Sequence, residues 1–166
     1  MFKKLFKSKK EENNAISIYA PIDGEVVPLE DVPDPVFSKK MMGDGVAIKP
    51  NNGTVVSPVQ GKIMQVFPTK HAIGIQAENG TEILLHIGLE TVNLNGEGFT
   101  THIEEGDNVK VGDALVTFEK EIVEEKAKST ITPVIITNTA EMKDIQMKDT
   151  QSVQAGQDEI IFVSKG

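Results

Sequence analysis

The stretch Phe67-Pro-Thr-Lys-His-Ala-Ile-Gly-Ile-Gln-Ala-Glu-Asn-Gly-Thr-Glu-Ile-Leu-Leu-His-Ile-Gly88 sets two runs rich in Ile and Leu on either side of Asn79-Gly80. Asn-Gly between apolar runs is a strong short-range signal for a β-hairpin. With Asn79 and Gly80 as a two-residue loop, Glu78 faces Thr81, Ile75 faces Leu84, Ile73 faces His86 and His71 faces Gly88. Side chains alternate with period two, so this register puts His71 and His86 on one face as diagonal neighbours, with Cβ atoms roughly 5.5–8 Å apart. Neutral imidazole titrates near pH ~6.5, so such a pair offers a nucleophilic ring nitrogen beside a proton donor. We take it as the candidate active centre.

Around this hairpin the chain has the bulk of one domain. Its 166 residues are 39% hydrophobic, enough for a single sizeable core. Aromatics are only 5%, with no Trp and one Tyr, so burial must come from Val, Ile, Leu and Met, which favours β structure. The absence of Cys excludes disulfides, thiolate metal sites and a cysteine nucleophile, and fits a reducing compartment, the cytoplasm being the natural reading. The net charge of -8 is unevenly spread: the first ten residues carry five Lys and no acid, leaving 12 Lys against 25 Asp and Glu in residues 11–166. So acidic a body repels nucleic acid and favours encounter with a basic protein partner, while most of these acids simply solvate the surface.

Met1–Lys10 places Phe2, Leu5 and Phe6 at i, i+3 and i+4 among lysines, the pattern of a short basic amphipathic helix able to make weak contact with an anionic membrane surface. It is too short to span a bilayer and lacks the apolar stretch of a secretion signal. We read residues 1–15 as a basic flexible tail and 16–166 as the folded domain. From Ile16 onward, short apolar segments alternate with Gly, Pro, Asn and Asp: Ile16–Ala20, Gly24–Leu29, Gly45–Ile48, Thr54–Val56 and Gly61–Phe67 precede the hairpin. Asn108–Val111, Ala114–Glu119, Pro133–Thr137, Asp144–Met147, Ser152–Gln154 and Glu159–Val163 follow it. This spacing predicts an all-β, antiparallel sandwich or barrel-like fold with little helix, the only helical stretch being Glu121–Lys128. Ala20-Pro-Ile-Asp-Gly-Glu-Val26 is echoed by Ser57-Pro-Val-Gln-Gly-Lys-Ile63, which suggests two similar β units packed together.

A lone histidine at the end of an apolar strand, as His86 is between Leu85 and Ile87, is ordinarily a satisfied structural residue. The cross-strand partner His71 changes that balance, and Thr69, two residues upstream, can hydrogen-bond to a ring or to a phosphoryl oxygen. A zinc enzyme would need a third ligand; His102 lies in a loop outside the hairpin and is given no role. No Gly-Lys-Ser/Thr phosphate loop, Gly-x-Ser-x-Gly elbow or His-Glu-x-x-His is present.

Further motifs stand in order along the chain: Val32-Pro-Asp-Pro-Val-Phe37, Gly43-Asp-Gly45, Thr69-Lys-His-Ala72, Leu85-His-Ile-Gly88, Gly96-Glu-Gly-Phe99 and Glu124-Glu-Lys-Ala-Lys-Ser-Thr130. With them the sequence resembles, over nearly its whole length from Ile16, the glucose-type EIIA component of the bacterial phosphoenolpyruvate-dependent sugar phosphotransferase system. The resemblance implies a compact antiparallel β-sandwich with two histidines in a shallow depression. It implies that His86 is the phosphorylated histidine, through Nε2, that His71 stabilises the phosphoryl group, that Thr69 accompanies it, and that the Gly88 carbonyl orients the nucleophilic ring.

By the same resemblance the protein is a cytoplasmic phosphotransferase component. A phosphoryl group arrives from the phosphocarrier HPr and leaves to a cysteine of the EIIB domain of a sugar permease, coupling sugar import to phosphorylation. The implied partner rim comprises Val36, Phe37, Phe67 and Val92, with Met41, Met42 and Ile73 at further apolar positions and Asp34 and Glu90 as flanking acids. Leu85 and Ile87 point away from the His86 face and are expected in the core. No cofactor is required, although His71 and His86 could ligate zinc if a partner supplied a carboxylate. A biotinyl- or lipoyl-type carrier shares paired Gly-rich β units but needs a lysine at a hairpin tip, where this chain has Asn79-Gly80. A metallohydrolase built on the two histidines is the other rival.

Overall fold

The structure is a computed structural model that describes residues 14–165. Of the basic tail expected at residues 1–15, residues 1–13 lie outside them, while Ala15 already belongs to the first strand. Among the described residues, fourteen strands form three antiparallel sheets. The largest runs β13 (Ser152–Val153), β2 (Gly24–Pro28), β3 (Asp44–Pro50), β11 (Thr132–Ile136), β7 (Glu82–His86), β6 (Ala72–Ala77), β5 (Gly61–Val66) and β9 (Asn108–Val109). The two smaller ones are β1 (Ala15–Tyr19), β14 (Glu159–Ser164), β12 (Asp144–Met147), and β4 (Thr54–Val56), β10 (Ala114–Phe118), β8 (Phe99–Thr101).

Strand alternation sorts the buried residues of the large sheet's central strands between two apolar clusters. Val46 and Ile48, Ile73 and Ile75, Ile83 and Leu85, and Val134 and Ile136 point to the main core, where Ile18, Val55, Leu115, Val116, Ile161 and Val163 of the small sheets meet them. This is the face-to-face packing of a sandwich. Ala47, Ala72, Leu84 and Ile135 point the other way and are covered by Leu29, Val32 and Phe37 of the long β2–β3 connection. That connection holds a 3-10 turn (Leu29–Asp31) and one short helix, α1 (Pro35–Ser38). Asp34 caps α1, accepting from the Val36 N–H at 3.0 Å, and Pro35 supplies a pre-set φ at its first turn. A later helix, α2 (Lys120–Lys126), begins one residue before the stretch read as helical and ends two residues sooner, with Ala127 already extended. Because β11 is covered on both faces, all five of its residues are buried and its sequence shows no polar alternation.

The two sequence repeats become equivalent strand starts. Gly24 opens β2 and Gly61 opens β5, and a Cβ at either would lie 2.1 or 2.2 Å from a carbonyl oxygen of the next strand, Lys49 or Gln76. Only glycine permits that approach. A two-residue edge strand pairs with each: β13 at Gly24–Glu25 and β9 at Gly61–Lys62. The large sheet is thus two similar four-strand halves joined between β11 and β7.

The hairpin register differs from the sequence expectation by one residue. Ala72 pairs with His86, Ile73 with Leu85, Gly74 with Leu84 and Ile75 with Ile83. The loop has three residues, Glu78–Asn79–Gly80, closed by Ala77 N–H to Thr81 O (2.8 Å) and Gly80 N–H to Ala77 O (2.9 Å), with Gly80 at φ +89°. Asn79 folds inward instead of capping a two-residue turn: its side-chain oxygen accepts from the Thr81 N–H at 3.0 Å and from the Thr81 hydroxyl at 2.6 Å.

Candidate active site

His86 ends β7 on the outer face of the large sheet, beside Ala72 and Leu84. By strict alternation the observed register would send His71 to the opposite face. It does not, because His71 precedes β6. The chain turns at Phe67–Lys70, with Lys70 N–H bonded to Phe67 O at 2.8 Å and Lys70 left-handed at φ +63°, so the alternation that governs β6 does not extend to His71. The two imidazoles meet edge to face, centroids 4.9 Å apart at 80°. Their proximity was anticipated, but it comes from this turn and not from the diagonal pairing expected.

Each ring is fixed through Nδ1. His86 Nδ1 lies 2.8 Å from the Gly88 carbonyl oxygen, which can only accept, so Nδ1 carries the proton and Nε2 keeps its lone pair. His71 Nδ1 lies 2.6 Å from the Thr69 hydroxyl. Phe37 packs on His86 with centroids 5.0 Å apart, and Phe67 meets His71 edge-on at 5.7 Å. His71 is buried, only 4% exposed, and loss of water, with a smaller contribution from His86, lowers its pKa to about 4. Burial also lowers His86, against the opposing pull of the Gly88 carbonyl and Asp34. Both rings are therefore neutral at pH 7. His102 stands apart, its Nε2 3.0 Å from the Thr117 hydroxyl at an exposed position.

The loop after β7 shapes the site. Gly88 has φ +75°, and a Cβ there would lie 2.6 Å from Thr91 Cγ2 and 2.8 Å from Ser129 O, so no other residue fits. Leu89 N–H donates to Ser129 O at 2.9 Å, and the wholly buried Thr91 donates its hydroxyl to Ile87 O at 2.6 Å. Sequence alone gives Thr91 no role, and Ser129 enters only within the Glu124–Thr130 motif. The available signal was a Thr just beyond an apolar strand, whose hydroxyl must find a backbone partner if buried.

Of the residues expected on the partner rim, Val36, Met41, Met42 and Val92 expose 39 to 70% of their surface, Glu90 is exposed, and Asp34 and Phe67 are partly buried. Phe37 is buried against His86. Ile73, expected on this rim, is wholly buried and faces the main core, because the one-residue register change sends it inward; it is not a partner contact. Leu85 and Ile87 are wholly buried in that core, as expected. Among the described residues, no group of three or more His, Cys, Asp and Glu side chains is gathered to hold a metal, and no helix is long and apolar enough to cross a membrane.

A neutral histidine with one nitrogen tied to a carbonyl and the other free, set beside a second buried histidine on an apolar face, is suited to hold a group transiently. Comparison with known proteins gives that geometry its context: residues 16–142 match the family model of the phosphoenolpyruvate-dependent sugar phosphotransferase system, EIIA 1. The chain belongs to this family. A relative from Oceanobacillus iheyensis, a PTS system glucose-specific EIIA component, is 56% identical over 98% of this chain and 99% of its own. Another of that name from Staphylococcus epidermidis is 52% identical over 99% of both chains. The solved glucose permease IIA from Mycoplasma capricolum superimposes with a TM-score of 0.85 at 40% identity, covering 91% of this chain and 97% of that one. This EIIA chain is therefore a component of a sugar phosphotransferase system, with the antiparallel sandwich expected of it.

Proposed function

We propose that this EIIA chain is a cytoplasmic phosphocarrier that takes a phosphoryl group from phospho-HPr on Nε2 of His86 and passes it to the EIIB domain of a glucose-type permease. The observation that carries the reading is the 2.8 Å bond from His86 Nδ1 to the Gly88 carbonyl, which leaves Nε2 as the nucleophile. In the first step the Nε2 lone pair forms a bond to phosphorus while the P–N bond of the donor histidine breaks. In the second, the acceptor cysteine thiolate attacks the same phosphorus and the P–Nε2 electron pair returns to His86. In-line geometry and charge stabilisation dominate such transfers.

His71 supplies the second. With the Thr69 hydroxyl donating to Nδ1, its Nε2 carries the proton and can donate to a phosphoryl oxygen. The arriving phosphoryl group brings nearly two negative charges, which also favours proton uptake by His71. Val36, Phe37, Met41, Met42, Phe67 and Val92 form the apolar docking rim, flanked by Asp34 and Glu90, which attract basic partner surfaces. The reading needs no cofactor, and a zinc ion held by His71 and His86 would need a carboxylate from a partner to complete its ligands.

Incubation with phosphoenolpyruvate, Enzyme I and HPr followed by mass measurement tests this. One acid-labile phosphoryl group is expected on the native chain and on His102→Ala, and none on His86→Ala. Phosphoryl uptake by His86→Ala would refute the assignment.

A further inference from the structure

Three consecutive peptide planes link His86 to the carbonyl that orients it, and each is held by a hydrogen bond to a group other than the His86 ring. The His86–Ile87 plane is held by Ile87 N–H to His71 O at 2.7 Å. The Gly88–Leu89 plane, whose carbonyl receives His86 Nδ1, is held from behind by Leu89 N–H to Ser129 O at 2.9 Å. The Ile87–Gly88 plane between them is held by Ile87 O, which accepts the Thr91 hydroxyl at 2.6 Å. Two of these three restraints are backbone to backbone; the middle one depends on a side chain.

Thr91 is built for this position. It is wholly buried, its methyl packs where a Gly88 Cβ would go, and its hydroxyl closes a short loop containing two residues at positive φ, Gly88 (+75°) and Glu90 (+60°). A non-glycine residue at positive φ is uncommon and held there by its surroundings. Without the Thr91 bond, the Ile87–Gly88 plane could rotate and carry the Gly88 carbonyl away from His86 Nδ1.

We propose that Thr91 is a positioning residue for phosphoryl transfer, fixing the Gly88 carbonyl so that His86 presents Nε2 as its free nitrogen. It touches neither the nucleophile nor the phosphoryl group and acts through Ile87 and Gly88. The inference rests on the phosphocarrier reading for its consequence in transfer, but its structural half concerns the His86 tautomer alone.

Thr91→Val keeps the shape and removes the hydroxyl; Thr91→Ser keeps the hydroxyl. Nitrogen-15 NMR of the imidazoles should show His86 as the Nδ1–H tautomer in the native chain and in Thr91→Ser, and as a mixture of tautomers in Thr91→Val. Phosphorylation by HPr should slow about tenfold to a hundredfold in Thr91→Val, in kcat rather than in KM, since misplacement of a reacting group by about 1 Å has effects of this size. Thr91→Ser should recover the rate to within about twofold. A Thr91→Val protein that keeps the native tautomer, or the native rate, overturns the proposal. If Thr91→Val does not fold, exchange of the Thr91 hydroxyl proton in the native chain decides: protection from water supports the bond, rapid exchange sinks it. Failure of the native chain to accept phosphate would refute the phosphocarrier reading while leaving the tautomer result standing.

Discussion

The connection from β2 to β3 (Leu29–Gly43) and the one from β5 to β6 (Phe67–His71) occupy equivalent places in the two halves of the large sheet, yet they differ in length and effect. The long one folds back over its own half, laying Leu29, Val32 and Phe37 on Ala47 and Ile135. The short one lays only Phe67 on the sheet, and beside it a groove of about 300 Å³, lined by Met42, Met64, Phe67, Gly74 and Leu84, stays open. His86 sits at the seam, with Phe37 from the long connection on one side and His71 from the short one on the other. A near-symmetric sheet thus gains an asymmetric site from one insertion, which supplies a wall on one side and leaves an approach on the other.

Breaking the long connection should have the largest effect. Phe37→Ala removes a buried ring from the smaller cluster and should cost about 3–5 kcal/mol of stability, measured by urea unfolding. A loss below about 1 kcal/mol would mean that other contacts hold the covering segment and Phe37 is only a neighbour of His86.

The short connection should behave oppositely, affecting transfer more than folding. His71→Gln keeps a hydrogen-bond donor of similar reach but cannot take up a proton, so the variant should accept phosphate from HPr and pass it to EIIB about a hundredfold more slowly. Rapid-quench measurement of both half-reactions separates the two; onward transfer at the native rate would leave His71 with no part in it.

A smaller effect sharpens the same contrast through pH. His71 is lowered to about 4 in the folded protein from 6.5. Between those values the unfolded chain binds the extra proton, so His71 contributes stability that is complete above pH 6.5 and is lost as pH falls towards 4. From pH 7 to pH 5 the native chain should lose about 2 kcal/mol more than His71→Gln. Equal losses in denaturant titrations would show that folding does not oppose protonation of His71.

Most of the strand pattern was legible because Gly, Pro, Asn and Asp punctuate the chain at nearly every turn: Thr54–Val56 and Asp144–Met147 agree to the residue, and most other segments to within one or two. Phe99–Thr101 gives no strand signal, since three residues after a Gly-rich turn carry too little periodicity. The hairpin register is ambiguous in sequence because Asn79-Gly80 suits two loop lengths, and the inward bonds of the Asn79 side chain to Thr81 decide between them. At the site, His86 and His71 could be named, but the means of bringing them together could not, since a left-handed Lys70 has no sequence signature. Thr91 escaped for a related reason: a hydroxyl that holds a peptide plane looks, in sequence, like any threonine in a loop.

Both margins of the large sheet end in strands of two residues, β13 and β9. A margin that short offers almost no ladder to an incoming extended chain, so it resists the edge-to-edge addition by which exposed sheets polymerise. The proposed role, in which one protein is met and released before another is met, gains from this. Beyond β9 the β5 edge is met by loop groups, Ile63 N–H donating to the Asp107 carbonyl at 2.8 Å and Val66 N–H to the Glu105 carboxylate at 3.4 Å, which favours contacts on the open face of the large sheet, made and undone without exchanging backbone hydrogen bonds.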